Sequence, residues 1–190
     1  MRIISGKFRG KKLIKFNKEG IKPTTDKMRE SIFNIVISYL KINEKNNNLF
    51  FEEFNVLDIF AGTGALGLEA ISRGAENVTF IEKSRDNLRV LYKNIDLLKV
   101  SEKVKIIKRS IRKVKKIDGK FDLIFMDPPY QMDIIFKKTL KKILDFKAIK
   151  KNSLLVLEHD RKKKIVIPKE FQIIKEKNYG NSGVTLIKLK

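Results

Sequence analysis

Gly62, Gly64 and Gly67 stand in G-x-G-x-x-G spacing within "VLDIFAGTGALGLEA", between a strand-like run and a helical one. Glycines in this arrangement let a backbone turn tightly and approach a ligand closely. The spacing alone also fits a nicotinamide or flavin dinucleotide, whose pyrophosphate rests on the helix N-terminus. Two carboxylates change the expected ligand. Asp58 precedes the loop at the end of its strand, and Glu82 closes the next strand, "NVTFIE". A carboxylate repels a pyrophosphate and attracts a cationic sulfonium. Glu82 is placed to accept both hydroxyls of a ribose. Together the two acids favour S-adenosylmethionine (SAM) over a dinucleotide, with Asp58, Phe60, Gly62, Gly64 and Glu82 as candidate contacts. A glycine turn that serves only helix packing is the structural alternative.

A second constellation is "FDLIFMDPPY", ending in Asp127, Pro128, Pro129 and Tyr130. Proline fixes its own φ and biases its predecessor toward extended geometry, so the strand is expected to end at Asp127 in a stiff corner. An exocyclic amine on a nucleobase is a poor nucleophile because its lone pair is delocalised into the ring. A rigid pair of acceptors, the Asp127 side chain and the Pro128 carbonyl, can hold such a nitrogen in line with an electrophilic methyl group. Tyr130 offers a stacking face for a base that has left its helix. A strand-end Pro-Pro turn with a solvated Asp127 is the structural alternative. The four residues together are the candidate catalytic group.

These residues need a frame that brings them to one edge. "FNVLDIF", "NVTFIE", "KVKIIK", "FDLIFMD" and "SLLVLEH" read as strands, most of them apolar enough to be buried on both faces. "ALGLEAISRGA", "SRDNLRVLYKNIDLL" and "DIIFKKTLKKILDF" have helical spacing. The alternation predicts a doubly wound, mostly parallel sheet. "FQIIKEK" and "GVTLIKLK", joined by the turn-rich "NYGNSG", predict an antiparallel hairpin at the sheet edge. Ligands of such sheets bind beyond the carboxyl ends of the strands, which would place Asp127 over the crevice that holds the glycine loop. Residues 1–53 read differently, as a basic hairpin turning at Gly6 or Gly10 followed by an amphipathic helix. In that helix Met28, Ile32, Ile35, Val36 and Leu40 share a face, and Asp26 or Thr25 is the expected N-cap. This segment is expected to be an appendage to a catalytic domain spanning 54–190.

Composition narrows the partner. The 190 residues suffice for one domain with a real core, and 42% hydrophobic content suits a globular chain. A formal net charge of +21 points to a polyanion, nucleic acid first and an anionic membrane second. A coding bias toward A/T-rich codons is the blander reading of that lysine excess. Arg2, Lys7, Arg9, Lys11 and Lys12 form a basic arm suited to phosphate contacts, which position without reading sequence. No cysteine is present and His159 is the only histidine, so disulfides, thiolate sites and multi-histidine metal sites are not expected. His159 itself reads as structural, and the run beginning at Arg161 as a solvated turn. The first residues lack the apolar run of a signal peptide, and no stretch of ~18 apolar residues appears. A cytoplasmic protein without a membrane span is the expectation.

The motifs together resemble one family. "MRIISGKFRGKKL" with "KPTTDKMRESIFN", then "VLDIFAGTGALGLEAISRGA", "FDLIFMDPPY", "LEHD" and "KNYGNSGVTLIKL" are similar to the RsmD-type ribosomal RNA guanine-N2 methyltransferases. That resemblance spans nearly the whole chain. It implies a Rossmann-like class I SAM-dependent methyltransferase fold with a seven-stranded sheet. It implies methylation of a guanine in 16S (small-subunit) rRNA, met as RNA or as a ribosomal particle, by a chain expected to act as a monomer. It places Thr24, Thr25 and Arg29 beside the crevice. One departure stands out. Where many SAM enzymes carry Asp or Asn after the third strand to bind the adenine amine, "KIIKRSIRKV" offers Ser110, followed by Ile111. Other readings remain open: methylation of adenine N6, of cytosine N4 or of a protein glutamine, and a non-catalytic RNA-binding assembly factor on the same fold.

Overall fold

Apolar, β-branched runs form the sheet, and amphipathic runs cover it. The computed structural model describes residues 1–16, 25–40, 50–128, 134–163 and 165–190. Among them lie helices α1 (Asp26–Leu40), α2 (Ala65–Ser72), α3 (Arg85–Leu98) and α4 (Ile135–Asp145). The strands are β1 (Asn55–Ile59), β2 (Asn77–Ile81), β3 (Val104–Ile107), β4 (Phe121–Met126), β5 (Ile149–Asp160), β6 (Phe171–Tyr179) and β7 (Ser182–Leu189). They form one sheet in the order β3-β2-β1-β4-β5-β7-β6.

Strands β1 to β5 pair in parallel, and β7 runs antiparallel between β5 and β6. The expected hairpin therefore exists, with its second strand docked on the sheet and its first at the edge. His159, near the end of β5, packs its ring against Gly183 and shares a 3.0 Å hydrogen bond with Thr185 Oγ1. The ring is thereby built into the β5–β7 pairing.

The chain winds outward from β1 through β2 to β3, then returns to lay β4 on the other side of β1. The reversal opens a crevice at the carboxyl ends of β1 and β4, where open α/β sheets bind ligands. Side chains alternate across each strand, so the sheet feeds two cores. Val56, Phe80 and Phe125 point to the face covered by α1, α2 and α3. Leu57, Ile124 and Leu155 point to the other, covered by α4 and by the link between β3 and β4.

The N-terminal segment joins the first core. Ile3, Leu13, Ile32 and Phe33 are buried among the sheet residues of that face. The basic hairpin is an antiparallel excursion with a single bridge, Arg2 to Lys12, backed by Ile3 N donating to Lys11 O at 2.9 Å. Both Gly6 and Gly10 take a left-handed φ of 83°. Gly6 has a second constraint, because a Cβ there would overlap the Ser72 carbonyl oxygen. In α1 the Thr25 hydroxyl accepts from Met28 N at 3.2 Å, which makes Thr25 the N-cap. The buried face of α1 is broader than the predicted stripe. It adds Phe33 and Arg29, while Leu40 is half-buried.

Candidate active site

The glycine loop runs from the end of β1 into α2. Gly64 adopts φ 86° just before α2, a left-handed conformation that costs glycine little. A Cβ there would lie 2.4 Å from Leu91 Cδ1. Phe60 takes φ 68°, unusual for a bulky residue, and holds it by donating from its backbone N to Ile81 O at 3.0 Å. The backbone is thus over-determined where it leaves the sheet.

Glu82 fastens this loop to the next element. Its Oε2 accepts from Gly62 N at 2.8 Å, and its Oε1 accepts from Lys83 N and Ser84 N at 2.7 Å each. Ser84 in turn caps α3. A carboxylate has about four acceptor positions, so Glu82 keeps capacity for a further donor such as a ribose hydroxyl. Sequence reasoning placed Glu82 at the ligand and missed that it also ties the loop to α3.

Asp58 plays a more internal part than its position before the loop suggested. It is buried within β1, and its Oδ2 accepts from Gly67 N in the first turn of α2 at 2.9 Å. Burial first, then the charges of Asp127 and Glu82, push its carboxyl up against the downward pull of the Gly67 amide, to about 7 in all. Asp58 therefore steadies the loop from behind while its charge still reaches the crevice. In register, Ile59 pairs with Ile81 and with Met126, so Glu82 and Asp127 each follow a strand that flanks the β1 strand carrying Asp58.

Asp127 follows β4 directly and is half-buried, and Pro128 is buried. Pro129, Tyr130 and Thr24 lie outside the described residues. Ser110 opens a short 3-10 turn beyond β3, with a hydroxyl that makes no capping bond, and Ile111 behind it is buried. Three acids converging on a glycine loop fit a cationic ligand carrying hydroxyls, and oppose a pyrophosphate. On that test the residues present fit SAM, with Glu82 keeping an acceptor position that a ribose hydroxyl could use.

On the substrate side, Lys7, Arg9, Lys11 and Lys12 are exposed. Arg2 is exposed too, 3.8 Å from Asp26. Arg29 corrects its expected role. It is wholly buried, and its Nη2 donates to Arg2 O at 2.5 Å and to Asp26 Oδ1 at 2.9 Å. Burial removes it from any RNA surface and makes it a strut between α1 and the arm.

Sequence reasoning missed the residues that hold the arm. Glu69 in α2 accepts from Ile4 N at 2.8 Å and Ser5 N at 3.0 Å, and pairs with Arg73 at 2.9 Å. Ser72 donates to Ser5 O at 2.6 Å and accepts from Phe8 N at 2.9 Å. Asn94 in α3 accepts from Ile14 N at 2.8 Å and donates to both Ile14 O and Thr63 O at 3.1 Å. An acid inside the otherwise apolar "ALGLEAIS" was the available clue.

The strand order, with its reversed final pair, is that of the Rossmann-like, class I methyltransferases, and solved structures agree. A chain from Escherichia coli with a methyltransferase assignment superposes at TM-score 0.80, with 28% identity over 100% of this chain and 98% of that one. A Haemophilus influenzae chain with a methylase assignment gives TM-score 0.76 and 29% identity over 99% and 97%. The family described as Conserved hypothetical protein 95 matches residues 1–188, and the chain belongs to it. Relatives from Haemophilus influenzae and Buchnera aphidicola, both named ribosomal RNA small subunit methyltransferase D, are 34% and 36% identical. The first match covers 95% of this chain and 89% of the relative, and the second 92% and 86%. The RsmD-type resemblance carried by the motifs is thereby borne out.

Proposed function

We propose that this chain methylates the exocyclic N2 amine of a guanine in small-subunit rRNA, using SAM. The observation that carries the reading is the strand register, in which Glu82 and Asp127 follow the two strands that flank β1, with Asp58 between them. Family membership, and the names of the relatives, supply the rRNA. SAM bound here supplies an electrophilic methyl group on a sulfonium.

The chain's own residues do the rest. Glu82 and the glycine loop orient the nucleoside, and Asp58 favours positive charge nearby. Asp127 and the Pro128 carbonyl accept hydrogen bonds from the guanine amine and turn its nitrogen toward the methyl group. Transfer would form the N–C bond as the methyl–sulfur bond breaks, leaving S-adenosylhomocysteine; Asp127 would stabilise the positive charge gained by the amine and take its surplus proton on the way to water. The target base must leave its stack to reach this corner, and Tyr130 is the candidate platform. The basic arm meets phosphates nearby.

The test is transfer of labelled methyl groups to small-subunit rRNA from a strain lacking the gene, with the product mapped by mass spectrometry. N2-methylguanosine at one position is expected. Asp127→Ala should abolish transfer while SAM still binds, and normal turnover by that variant would sink the mechanism. Methylation of adenine N6 instead would keep the chemistry and overturn the base.

A further inference from the structure

The arm covers only one face of the sheet, and the opposite face carries a second concentration of cations. After β3 the chain enters a link whose burial repeats every third residue. Ile111, Val114 and Ile117 are buried, while Arg112, Lys113, Lys115 and Lys116 are exposed. Helix α4 packs beside this link, in the core that contains Phe136, Leu140 and Ile143. Its outer stripe holds Lys137, Lys138 and Lys141, all exposed. The two elements are joined directly, because Lys142 Nζ donates to Arg112 O at 2.6 Å.

Acids do little to neutralise this surface. Asp118 pairs with Lys116 at 2.7 Å and with Lys105 at 3.6 Å, and among the described residues no ion pair reaches the other cations of the link and helix. Position adds to charge. In a parallel sheet, whatever follows a strand starts at its carboxyl edge, so the link starts there after β3 and α4 follows the Asp127 corner after β4. Clustered like charges on two packed elements gain nothing for the fold, since like charges repel. A polyanion would repay them by counterion release.

We infer that Arg112, Lys113, Lys115, Lys137, Lys138 and Lys141 form a second RNA-backbone surface, on the face of the sheet opposite the arm. The RNA then straddles the carboxyl edge, with phosphates held on both sides of the crevice. The inference rests on the proposed rRNA methyltransferase reading. It adds that α4 and the β3–β4 link are part of the substrate site. The surface positions the RNA and does not select the base, because phosphate contacts are blind to sequence.

The experiment compares the full-length chain with a variant carrying Lys137→Ala, Lys138→Ala and Lys141→Ala, using transcribed small-subunit rRNA as probe. Affinity is measured against salt concentration, and SAM affinity and thermal unfolding alongside. With about 0.7 in slope per contact on single-stranded RNA, losing three contacts should flatten the plot of log affinity against log salt by roughly two units. Melting and SAM affinity should stay at wild-type values. An unchanged slope in a folded variant overturns the inference. Loss of binding to phosphatidylglycerol vesicles with no change on RNA would assign the face to a membrane and overturn it equally. The proposed function fails separately, and visibly, if the wild-type chain binds neither SAM nor the transcript.

Discussion

Asp58 sits between two demands. Its Gly67 contact favours the ionised form, while burial and two neighbouring carboxylates favour the neutral one. A folded-state pKa of about 7, against an ordinary 3.8, means that between those values the folded chain holds a proton the unfolded chain has released. Stability should therefore fall as pH rises from about 4 to about 7 and then level off. Asp58→Asn should flatten that part of the profile in chemical denaturation at stepped pH. The same window governs the ligand. A sulfonium favours ionised Asp58, so SAM affinity should rise through pH 7. S-adenosylhomocysteine, with the same amino acid end and a neutral sulfur, should rise less. The difference should vanish in Asp58→Asn, and calorimetry showing it intact would mean that Asp58 does not sense the sulfonium. What the sequence showed of this residue was its charge and its place before the loop. Its burial was hidden, because the depth of a strand residue depends on the helix that later covers it.

Helix α2 shows how much one element can carry beyond its apolar face. Its residues are nearly all buried, including Glu69, which binds two amides of the arm and the guanidinium of Arg73. Arg73 is itself buried and lies 4.6 Å from the Phe33 ring centroid. Removing one partner of a buried ion pair leaves the other without compensation, at a cost of about 3–5 kcal/mol. Glu69→Ala should therefore lower stability by that order in urea denaturation, and should also loosen the arm. Protection of the Ile4 and Ser5 amides from hydrogen exchange should fall before that of the sheet. Protection that stays at wild-type level would show that Ser72 and Asn94 suffice to hold the arm. Helices were legible by their 3.6-residue spacing, and the parallel strands by the continuous apolar runs that burial on both faces demands. The terminal hairpin was legible as a pair, but not the choice of β7 as the strand that meets β5, since alternation says nothing about which partner lies alongside. Arg29 misled for a related reason. The resemblance placed it beside the crevice, whereas it is wholly buried and donates to Asp26, one turn away, and to a backbone oxygen contributed by the arm.

At the scale of the whole molecule, the site was legible where motif order fixed topology. A glycine loop after the first strand and Asp-Pro after the fourth come together only if the strand order reverses between them, and the sheet does reverse there. The net charge of +21 was legible as a sum but not as a distribution. The fold sorts those cations onto two faces, and the arm is the part most firmly braced against the site. Asn94 bonds both to Ile14, at the base of the arm, and to Thr63 within the glycine loop. Its outward cations are therefore held in place, not carried on a loose tail, and their removal should act on RNA alone. Arg9→Ala, Lys11→Ala and Lys12→Ala together should flatten the salt dependence of rRNA binding by roughly two units, from about 0.7 per contact. Surface changes of this kind usually alter stability by no more than about 0.5 kcal/mol, so the variant should melt as the wild type does. SAM affinity should hardly move, because the side chains concerned face solvent while the loop is tied through Asn94 and Glu82. A triple variant that keeps the wild-type slope on small ribosomal subunits would show that the arm does not touch phosphate, however basic it is.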